Sequence, residues 1–267
     1  AVIDPALAPL VALDVPLDGD GRMEIDAAGR VGSVTVGIHG KGGSFNLNDT
    51  VAQAVGVASP PQRLKVQRLA LQASYEAVNT KVAVQALEIA FEPGTVLYVP
   101  APVDHRFPLK ELTAAGVYDN GKLDIRSFDL GLDALKLAVT GSVDKLDTAP
   151  TGTVAVSADN IRVDDLGRYW PPTLAPGAWE WCTTHLRDGI VPRLDARLAF
   201  ETHDGTTDVT DVSVKFPVEK LTVDYLPPMP PARGASGVVT IDPNTLRIVL
   251  NRADAAGLTI SDGAILI

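Results

Sequence analysis

The sequence is 267 residues long, acidic, and rich in aliphatic side chains but poor in aromatic ones. Hydrophobic residues make up 46% of it, aromatic residues only 5%, and the formal net charge is −10. An acidic surface repels nucleic-acid phosphate and is not attracted to anionic membranes, so nucleic-acid binding is disfavoured. The apolar content is too high for a disordered chain, and the length suits one large β domain.

Cysteine content and hydropathy exclude further classes of protein. Cys182 is the only cysteine, so neither an intramolecular disulfide nor a thiolate zinc cluster is expected. No apolar run reaches the roughly 20 residues that a membrane-spanning helix needs. Residues 1–5 contain neither an initiator Met nor a basic segment before an apolar one, so they do not resemble a signal peptide. We expect the chain to be a processed or excised piece of a larger protein.

Strand patterns dominate the chain. Large apolar side chains recur at every second residue over 34–38, 69–75 and 212–216, which places each set on one face of a strand. Polar, Gly-rich turns are predicted at 18–21, 119–121 and 204–205. Within the second of these, Asn120-Gly121 is the strongest signal for a tight hairpin.

The strand pattern also repeats. Residues 121–141 and residues 237–260 each contain three short apolar segments joined by brief turns. Such repetition is typical of a meander whose units mainly contact their neighbours. The predicted fold is therefore mainly β: an elongated, curved and twisted antiparallel sheet, open as a groove, with one or two short helices.

Few helices are predicted. The clearest covers about 176–188, with Pro176 placed to start it and Gly189 to end it. It lies in a helical insert at about 169–189, which divides the strands into two portions of a single segment, 1–267. A second, short helix is predicted near 48–55. The proline-rich stretch 226–231 is predicted to be an extended connector or an edge, because proline removes a ladder donor.

Catalytic and metal-binding patterns are weak. The four histidines lack metal-ligand spacing, and residues 18–24 depart from a calcium loop at the fifth and sixth positions. Asp104-His105 and Cys182 with His185 are the candidates for a hydrolase. No Gly-x-Ser-x-Gly elbow completes the first pair, and Cys182 is better interpreted as a small buried side chain. We therefore predict no enzyme activity, no catalytic residues, no metal and no cofactor.

Two segments carry a family resemblance. Residues 169–181 read YWPPTLAPGAWEW and are followed by HLRDG at 185–189; residues 221–231 read LTVDYLPPMPP and are followed by GASG at 234–237. In order and spacing these segments resemble the YhdP-related periplasmic region of AsmA-like proteins. AsmA-like proteins belong to the bridge-like lipid-transfer proteins of the TamB/AsmA type. The resemblance covers roughly the last hundred residues.

The resemblance implies a location and a function. Relatives are anchored in the inner membrane of Gram-negative bacteria, extend into the periplasm, and are implicated in moving phospholipid towards the outer membrane through a β-groove. It implies the same here: a non-enzymatic segment that takes part in phospholipid transport and outer-membrane homeostasis. The implied partners are phospholipid or another acyl-chain lipid and the adjoining segments of the full-length protein, and the family supplies no catalytic residues.

A lipid groove would use the alternating apolar residues as its lining. Each buried methylene contributes about 0.8 kcal/mol, so a tail can be held by many weak contacts without a conspicuous polar site. The helix residues Trp179, Trp181 and Leu186 are predicted to cover or gate the sheet. The groove-lining candidates are Val34, Val36, Ile38, Leu69, Leu71, Ile125, Leu137, Val212, Val214, Phe216, Val223, Ile248 and Ile260.

Two other interpretations stay open at this level. The same side chains could pack the closed core of a structural envelope scaffold or protein-interaction module, because alternation alone does not separate a groove from a sandwich. The other interpretation is a secreted hydrolase that uses Asp104, His105 or Cys182.

The length of the chain limits how far such a groove could reach. About a dozen strands spaced ~4.8 Å apart extend only some 60–70 Å, so the chain would be one segment of a bridge. Unpaired strand edges would favour self-association.

Overall fold

The computed structural model describes residues 13–47, 62–100, 104–146, 148–170, 172, 176–203, 206–225, 228–242 and 245–266. Strands account for 75% of the described residues and helices for 7%. The strands pair in antiparallel ladders, and the sheet structure is not closed. The prediction of a mainly β chain with an open antiparallel sheet and short helices is confirmed.

The chain divides into two compact units, unit 1 (Ala1–Ala134) and unit 2 (Leu135–Ile267). The sequence predicts one segment, 1–267, with the helical insert dividing its strands into two sheet portions. The boundary instead falls between the ninth and tenth strands, and the insert lies inside unit 2.

Unit 1 is an antiparallel meander. The long strands pair in the order β2, β3, β5, β6, β8 and β9, and the short strands β1, β4 and β7 extend the ladders at one end. The described strands are β1 (Leu13–Asp14), β2 (Leu17–Ile25), β3 (Val31–Lys41), β4 (Ser44–Leu47), β5 (Gln62–Glu76), β6 (Lys81–Phe91), β7 (Val96–Val99), β8 (His105–Asp119) and β9 (Lys122–Leu132).

The turn between β8 and β9 forms at the predicted hairpin signal. β8 ends at Asp119 and β9 begins at Lys122, which leaves Asn120 and Gly121 as the two turn residues. Their φ angles are 49° and 75°. Positive φ at both central positions is what a type I′ turn requires, and asparagine and glycine adopt it at low cost.

The turn predicted at 18–21 is wrong, because these residues lie inside β2. Gly19 pairs with Ile38, and a Cβ at Gly19 would lie 2.4 Å from the carbonyl oxygen of Gly37. The glycine therefore serves the close approach of β3. Asp18 and Asp20 are exposed, so their carboxylates remain in water.

Unit 2 is a second antiparallel meander with a helical insertion. β11 pairs with β10 and β13, β14 with β13 and β15, and β16 with β15 and β17, while short β12 pairs with β14. Its described strands are β10 (Leu135–Asp144), β11 (Thr151–Arg162), β12 (Leu186–Arg187), β13 (Ile190–His203), β14 (Thr206–Val223), β15 (Ala232–Asp242), β16 (Thr245–Ala255) and β17 (Leu258–Leu266).

The insert separates β11 from β12 and begins earlier than predicted. It consists of a 3₁₀ turn (Val163–Asp165), α1 (Leu166–Tyr169) and α2 (Pro176–His185). Pro176 starts α2 as expected, but the helix ends three residues before the predicted end. Leu186 and Arg187 pair with Val223 and Thr222 in β12, because ladder bonds to β14 replace another helical turn.

The remaining predictions fall partly outside the described residues. The helix predicted near 48–55 and the turn at 204–205 lie outside them. Of the proline-rich stretch, residues 228–231 are described and form no strand; they lie between β14 and β15, as predicted for a connector.

Candidate functional site

The strand register gathers the apolar side chains of unit 1 on one side of its sheet. Leu71 of β5 lies directly opposite Ile38 of β3 and Leu87 of β6. The same row continues to Ala114 and Phe128. Directly opposed residues of antiparallel strands share a face, so this row crosses five strands on one side.

Three further rows run parallel to this one. They define, with it, a surface that we call the unit 1 apolar face. Its described members are Val34, Val36, Ile38, Leu69, Leu71, Ala73, Tyr75, Val82, Val84, Leu87, Ile89, Leu112, Ala114, Gly116, Tyr118, Leu123, Ile125, Phe128 and Leu130.

The other side of the same sheet is polar. Thr35 lies opposite Ser74, and Thr113 lies opposite Asp129, to whose carboxylate its hydroxyl donates at 3.4 Å. Arg68 forms a 3.8 Å ion pair with Glu88. The unit 1 sheet is therefore amphipathic, with one face suited to water and one suited to apolar contact.

Burial of the unit 1 apolar face changes along the strands. At the end near β1, Val66 and Leu69 are buried against Val15. Towards the opposite end, Tyr75 and Val82 are 37% and 38% exposed. The face is thus covered at one end and open to solvent at the other.

β-Bulges on β6 and β9 line up across the middle of the unit 1 sheet. Register shifts occur at Gln72/Ala73, Val84/Leu87 and Ala115/Gly116 in three successive strand pairs. The flanking residues Ala73, Val84 and Gly116 lie in a single cross-strand row. Bulges bend a strand and increase its twist, so a row of them bends the sheet across several strands.

Unit 2 also has an apolar face, because directly opposed apolar residues of its antiparallel strands lie on the same side of the sheet. Val156 lies opposite Val139 and Ala196, and the row continues through Val214 to Ile241. We call this surface the unit 2 apolar face. Its members include Leu137, Val139, Val154, Val156, Ala158, Leu194, Ala196, Leu198, Val212, Val214, Phe216, Val218, Leu221, Val223, Ala235, Val239, Ile241, Ile248 and Leu250.

The insert covers part of the unit 2 apolar face. Val163 of the 3₁₀ turn is buried with Leu221, Ala235 and Ala253 of the strands. Leu166 and Leu186 pack against the same cluster. The cover thus consists of the 3₁₀ turn and α1 of the insert together with the adjoining β12, in which Leu186 lies.

The tryptophans of α2 do not form this cover. Trp179 is half-buried, and its Nε1 donates a hydrogen bond of 3.0 Å to the carbonyl oxygen of Trp170. Trp181 is 46% exposed, and its ring lies tilted by 40° against that of His185, with ring centroids 5.6 Å apart. Neither tryptophan belongs to the buried cluster, and their role as a cover or gate stays a prediction.

The predicted groove-lining residues fall on these two faces. Val34, Val36, Ile38, Leu69, Leu71 and Ile125 lie on the unit 1 apolar face. On the unit 2 apolar face lie Leu137, Val212, Val214, Phe216, Val223 and Ile248. Ile260, which is on β17, lies opposite Ala253 of β16. Ile260 is 42% exposed. Whether these residues bind lipid remains a prediction.

Several members of these faces are not among the predicted lining residues. In β6, Val82 and Val84 share a face with Leu87 and Ile89, although the two pairs are three residues apart. The bulge at this point adds one residue and breaks the alternation. A two-residue period that restarts after Gln85 is the signal that could have found them.

The residues considered for hydrolysis have structural partners. The Tyr98 hydroxyl donates to Asp104 at 2.8 Å, and the ring of His105 packs edge-on against Phe107 at 4.8 Å. Burial raises the pKa of the Cys182 thiol, which favours the unreactive neutral form. Within the described ranges, no three His, Cys, Asp or Glu side chains are grouped to hold a metal ion.

Comparisons of the chain with protein-family models, curated proteins and solved structures give no match. Searching the described residues for a helix long and apolar enough to cross a membrane finds none. The resemblance to AsmA-like proteins therefore rests on residues 169–189 and 221–237 alone.

Proposed function

We propose that this chain is a non-enzymatic segment of an AsmA-like protein that carries phospholipid along the apolar faces of its sheet. It acts in the periplasm, as part of a protein anchored in the inner membrane, in transport between the inner and outer membranes. Phospholipid acyl chains lie on the apolar faces, and adjoining segments of the full-length protein continue the path. The observation that carries the proposal is the one-sided, solvent-accessible apolar face of unit 1.

The dimensions of that face suit an acyl chain. The row from Ile38 to Phe128 crosses five strands, about 19 Å at a spacing of ~4.8 Å. A bilayer core ~30 Å thick contains two leaflets, so one tail spans about 15 Å. One row can therefore contact a tail along its whole length.

The energetics suit transport as well as binding. A tail gains about 0.8 kcal/mol for each methylene it buries, spread over many equivalent side chains. Because successive strands along a row carry similar apolar side chains, a lipid that shifts by one strand exchanges one set of contacts for a similar set. Movement along the face then meets no single deep binding site.

The alternative of a closed scaffold requires the apolar face to be buried by a second layer. Tyr75 and Val82, which are more than a third exposed at the open end of the face, favour the groove over that alternative. A scaffold would also tolerate polar substitution at half-exposed positions, whereas a lipid path would not.

The test uses two neighbouring positions on β5 that point to opposite faces. Leu71 lies on the apolar face and Gln72 on the polar one. The chain is purified from a phospholipid-containing host and its bound lipid is measured by native mass spectrometry and by extraction. We expect Leu71→Glu to lower the lipid content several-fold, because a carboxylate on the face must keep its hydration.

Gln72→Glu adds the same charge one residue away and serves as the matched control. It should leave lipid content unchanged. Thermal unfolding of both variants shows whether a loss of lipid merely follows a loss of folding. To cover that case, a photoreactive side chain at Leu87 should crosslink to phospholipid, and one at Glu88 should not. A wild-type chain that reproducibly carries no phospholipid would overturn the proposal.

A further inference from the structure

β2 is an exposed edge strand. All nine of its residues, Leu17–Ile25, are exposed. Among the residues that the structure describes, β2 pairs with β3 alone, so the other edge of its backbone has amide and carbonyl groups without a neighbouring strand. An edge of this kind is a template on which another strand can pair.

The free edge of β2 is regular along its length. The amide of Gly19 donates a 2.9 Å hydrogen bond to the carboxylate of Asp18, the residue before it, which places this amide on the free edge. Backbone groups alternate in direction along a strand, so the other odd-numbered residues of β2 also direct theirs outward. The register shift near the end of the β2–β3 pair comes from Gly32, an extra residue on β3, and leaves β2 unbroken.

The side of β2 that faces the same way as the unit 1 apolar face has a gap. Gly19 lies opposite Ile38 of that face, so the odd-numbered side chains share its side. Two of these positions, Gly19 and Gly21, have no side chain, while Leu17 and Met23 on either side of them are 48% and 56% exposed. The edge of the face therefore has a gap between two large apolar side chains.

The other side of β2 is charged, in the order Asp18, Asp20, Arg22 and Glu24. Glu24 accepts a 3.0 Å hydrogen bond from the hydroxyl of Ser33, which holds it towards β3. Asp20 and Arg22 are exposed and, within the described part of the chain, form no ion pair. They are therefore available to charges on another strand.

We propose that β2 pairs with β2 of a second copy of this chain, antiparallel, about a two-fold axis through Gly21. Gly21 is the middle residue of the strand, so all nine residues of one copy gain a partner in the other. In this register the odd-numbered residues lie opposite one another, which allows about ten backbone hydrogen bonds, as many as a typical protein interface has. The same surface serves both copies, as two-fold symmetry requires.

The apolar side chains of β2 fit this register. Met23 of each copy lies opposite Gly19 of the other and fills the gap there. Leu17 of each copy lies opposite Ile25 of the other, and these two side chains are 48% and 59% exposed in a single copy. Cross-strand apolar pairs stabilise a sheet, so the pairing removes apolar surface from water.

The charges fit the register as well. Asp20 of each copy lies opposite Arg22 of the other, so symmetry gives two pairs of opposite charge. Asp18 lies opposite Glu24 with like charge, but it is also diagonal to Arg22, and the hydrogen bond to Ser33 directs Glu24 towards β3. Because the like charges offset part of the attraction, we expect a dimer that depends on concentration.

The edge strand of unit 2 is a poorer template. Among the described strands β17 pairs with β16 alone, and Asp262 in its middle has a φ of 55°, which turns the backbone out of the extended form. Pairing through β2 puts the odd-numbered residues of both copies on one side of the joined sheet, so the two unit 1 apolar faces become continuous. The dimer forms without bound lipid, so it goes beyond the proposed function and can be tested without it.

Sedimentation equilibrium of the whole chain over a wide range of concentration measures the association. We expect a monomer–dimer equilibrium, because a two-fold interface closes on itself. Amide hydrogen exchange at low and high concentration locates the contact. Exchange over residues 17–25 should slow as the dimer forms, while exchange over residues 258–266 should not change.

Charge substitution tests the register. Arg22→Glu opposes like charges at two symmetric positions and should weaken dimerisation roughly tenfold or more, and Asp20→Arg should do the same. A heterodimer of these two variants again has opposite charges at both positions. We therefore expect each variant to be monomeric alone and an equimolar mixture of the two to dimerise.

Lys110→Glu is the matched control, because it makes the same change of charge as Arg22→Glu at an exposed position on the inner strand β8. It should dimerise as the wild type does. Thermal unfolding checks the folding of all three variants.

Four outcomes would overturn the dimer: a wild-type chain that is monomeric throughout, a dimer without protection of residues 17–25, a dimer that Arg22→Glu leaves intact, or a mixture of the two variants that stays monomeric. Native mass spectrometry of the wild type records bound phospholipid separately. A chain that dimerises but carries no phospholipid removes the proposed function alone. A chain that carries phospholipid but stays monomeric removes the dimer alone.

Discussion

Gly189 lies directly against Leu221, so closely that a methyl group on the glycine would come within 2.6 Å of the leucine Cδ1. The carbonyl oxygen of Gly189 also accepts a 3.0 Å hydrogen bond from the amide of Val163. The segment leading into β13 therefore passes beside the buried cluster of the insert with no room for a side chain. Gly189 is required by this contact and not by the end of a helix.

Replacing Gly189 by Ala should destabilise the protein by about 1–3 kcal/mol, because the new methyl group must displace Leu221 or Val163. Thermal or urea unfolding measures the change. Gly177→Ala is the matched control: a Cβ there meets nothing within 4 Å, and alanine is a better helix former than glycine. Equal stability of Gly189→Ala and the wild type would contradict the packing of the insert.

The side chain of Gln62 takes the place of a neighbouring strand for β7. Its Nε2 donates to the carbonyl oxygen of Tyr98, and its Oε1 accepts from the amide of Tyr98, both at 2.7 Å. Gln62→Leu should cost about 1–3 kcal/mol, because both backbone groups lose these hydrogen bonds in a half-buried position. Gln67→Leu, at an exposed position on the same strand, should be nearly neutral. Similar unfolding midpoints for the two variants would argue against this pairing.

The Cys182 thiol should react slowly with alkylating agents in the native protein. Burial raises its pKa, so little thiolate is present near neutral pH. The unfolded chain ionises at lower pH, so this group contributes stability below the unfolded pKa of ~8.5 that is lost as pH rises towards the folded value. Alkylation rates with and without urea, together with unfolding at several alkaline pH values, measure both effects. Cys182→Ala should remove this part of the pH dependence, and fast native alkylation at pH 7 would contradict the burial.

Thr259 controls the ionisation of Asp254 across the β16–β17 hairpin. The Thr259 hydroxyl donates to Asp254 at 2.7 Å, and this bond, helped by Arg252, lowers the pKa of the carboxyl. The stabilising contribution is present above the unfolded pKa of ~3.9 and is lost as pH falls through the folded value. Thr259→Val should raise the pKa of Asp254, whereas Thr259→Ser keeps the donor and should not. Titration of the carboxyl by NMR distinguishes the two variants.

Much of the fold could be predicted from local pattern because its ladders join strands close in sequence. Alternation at Val34, Val36 and Ile38 predicts a strand with one apolar side, and β3 has that form. Asn120-Gly121 predicts the β8–β9 turn because few other residues adopt positive φ cheaply. The turn predicted at Asp18-Gly19 is wrong for a related reason: the same residue types that favour turns also fit an exposed strand that needs a close backbone approach.

The candidate site could be predicted only in part. The six lining candidates of unit 1 lie on one face because a strand of period two keeps its apolar set together. The members on β6 do not follow a single alternation, because a bulge inserts a residue and shifts the period, so they are found only if the period is allowed to restart. The exposure of Trp181 was out of reach, since the sequence does not state which side of a short helix meets the sheet.

The sequence by itself determined that the chain forms amphipathic strands joined by short turns, because alternation and turn chemistry act between near neighbours. Only the tertiary structure decided which rows line up across strands, where bulges bend the sheet, and where the insert covers it. Those features depend on register and on close contacts such as Gly189 with Leu221, which join residues far apart in sequence and leave no local pattern.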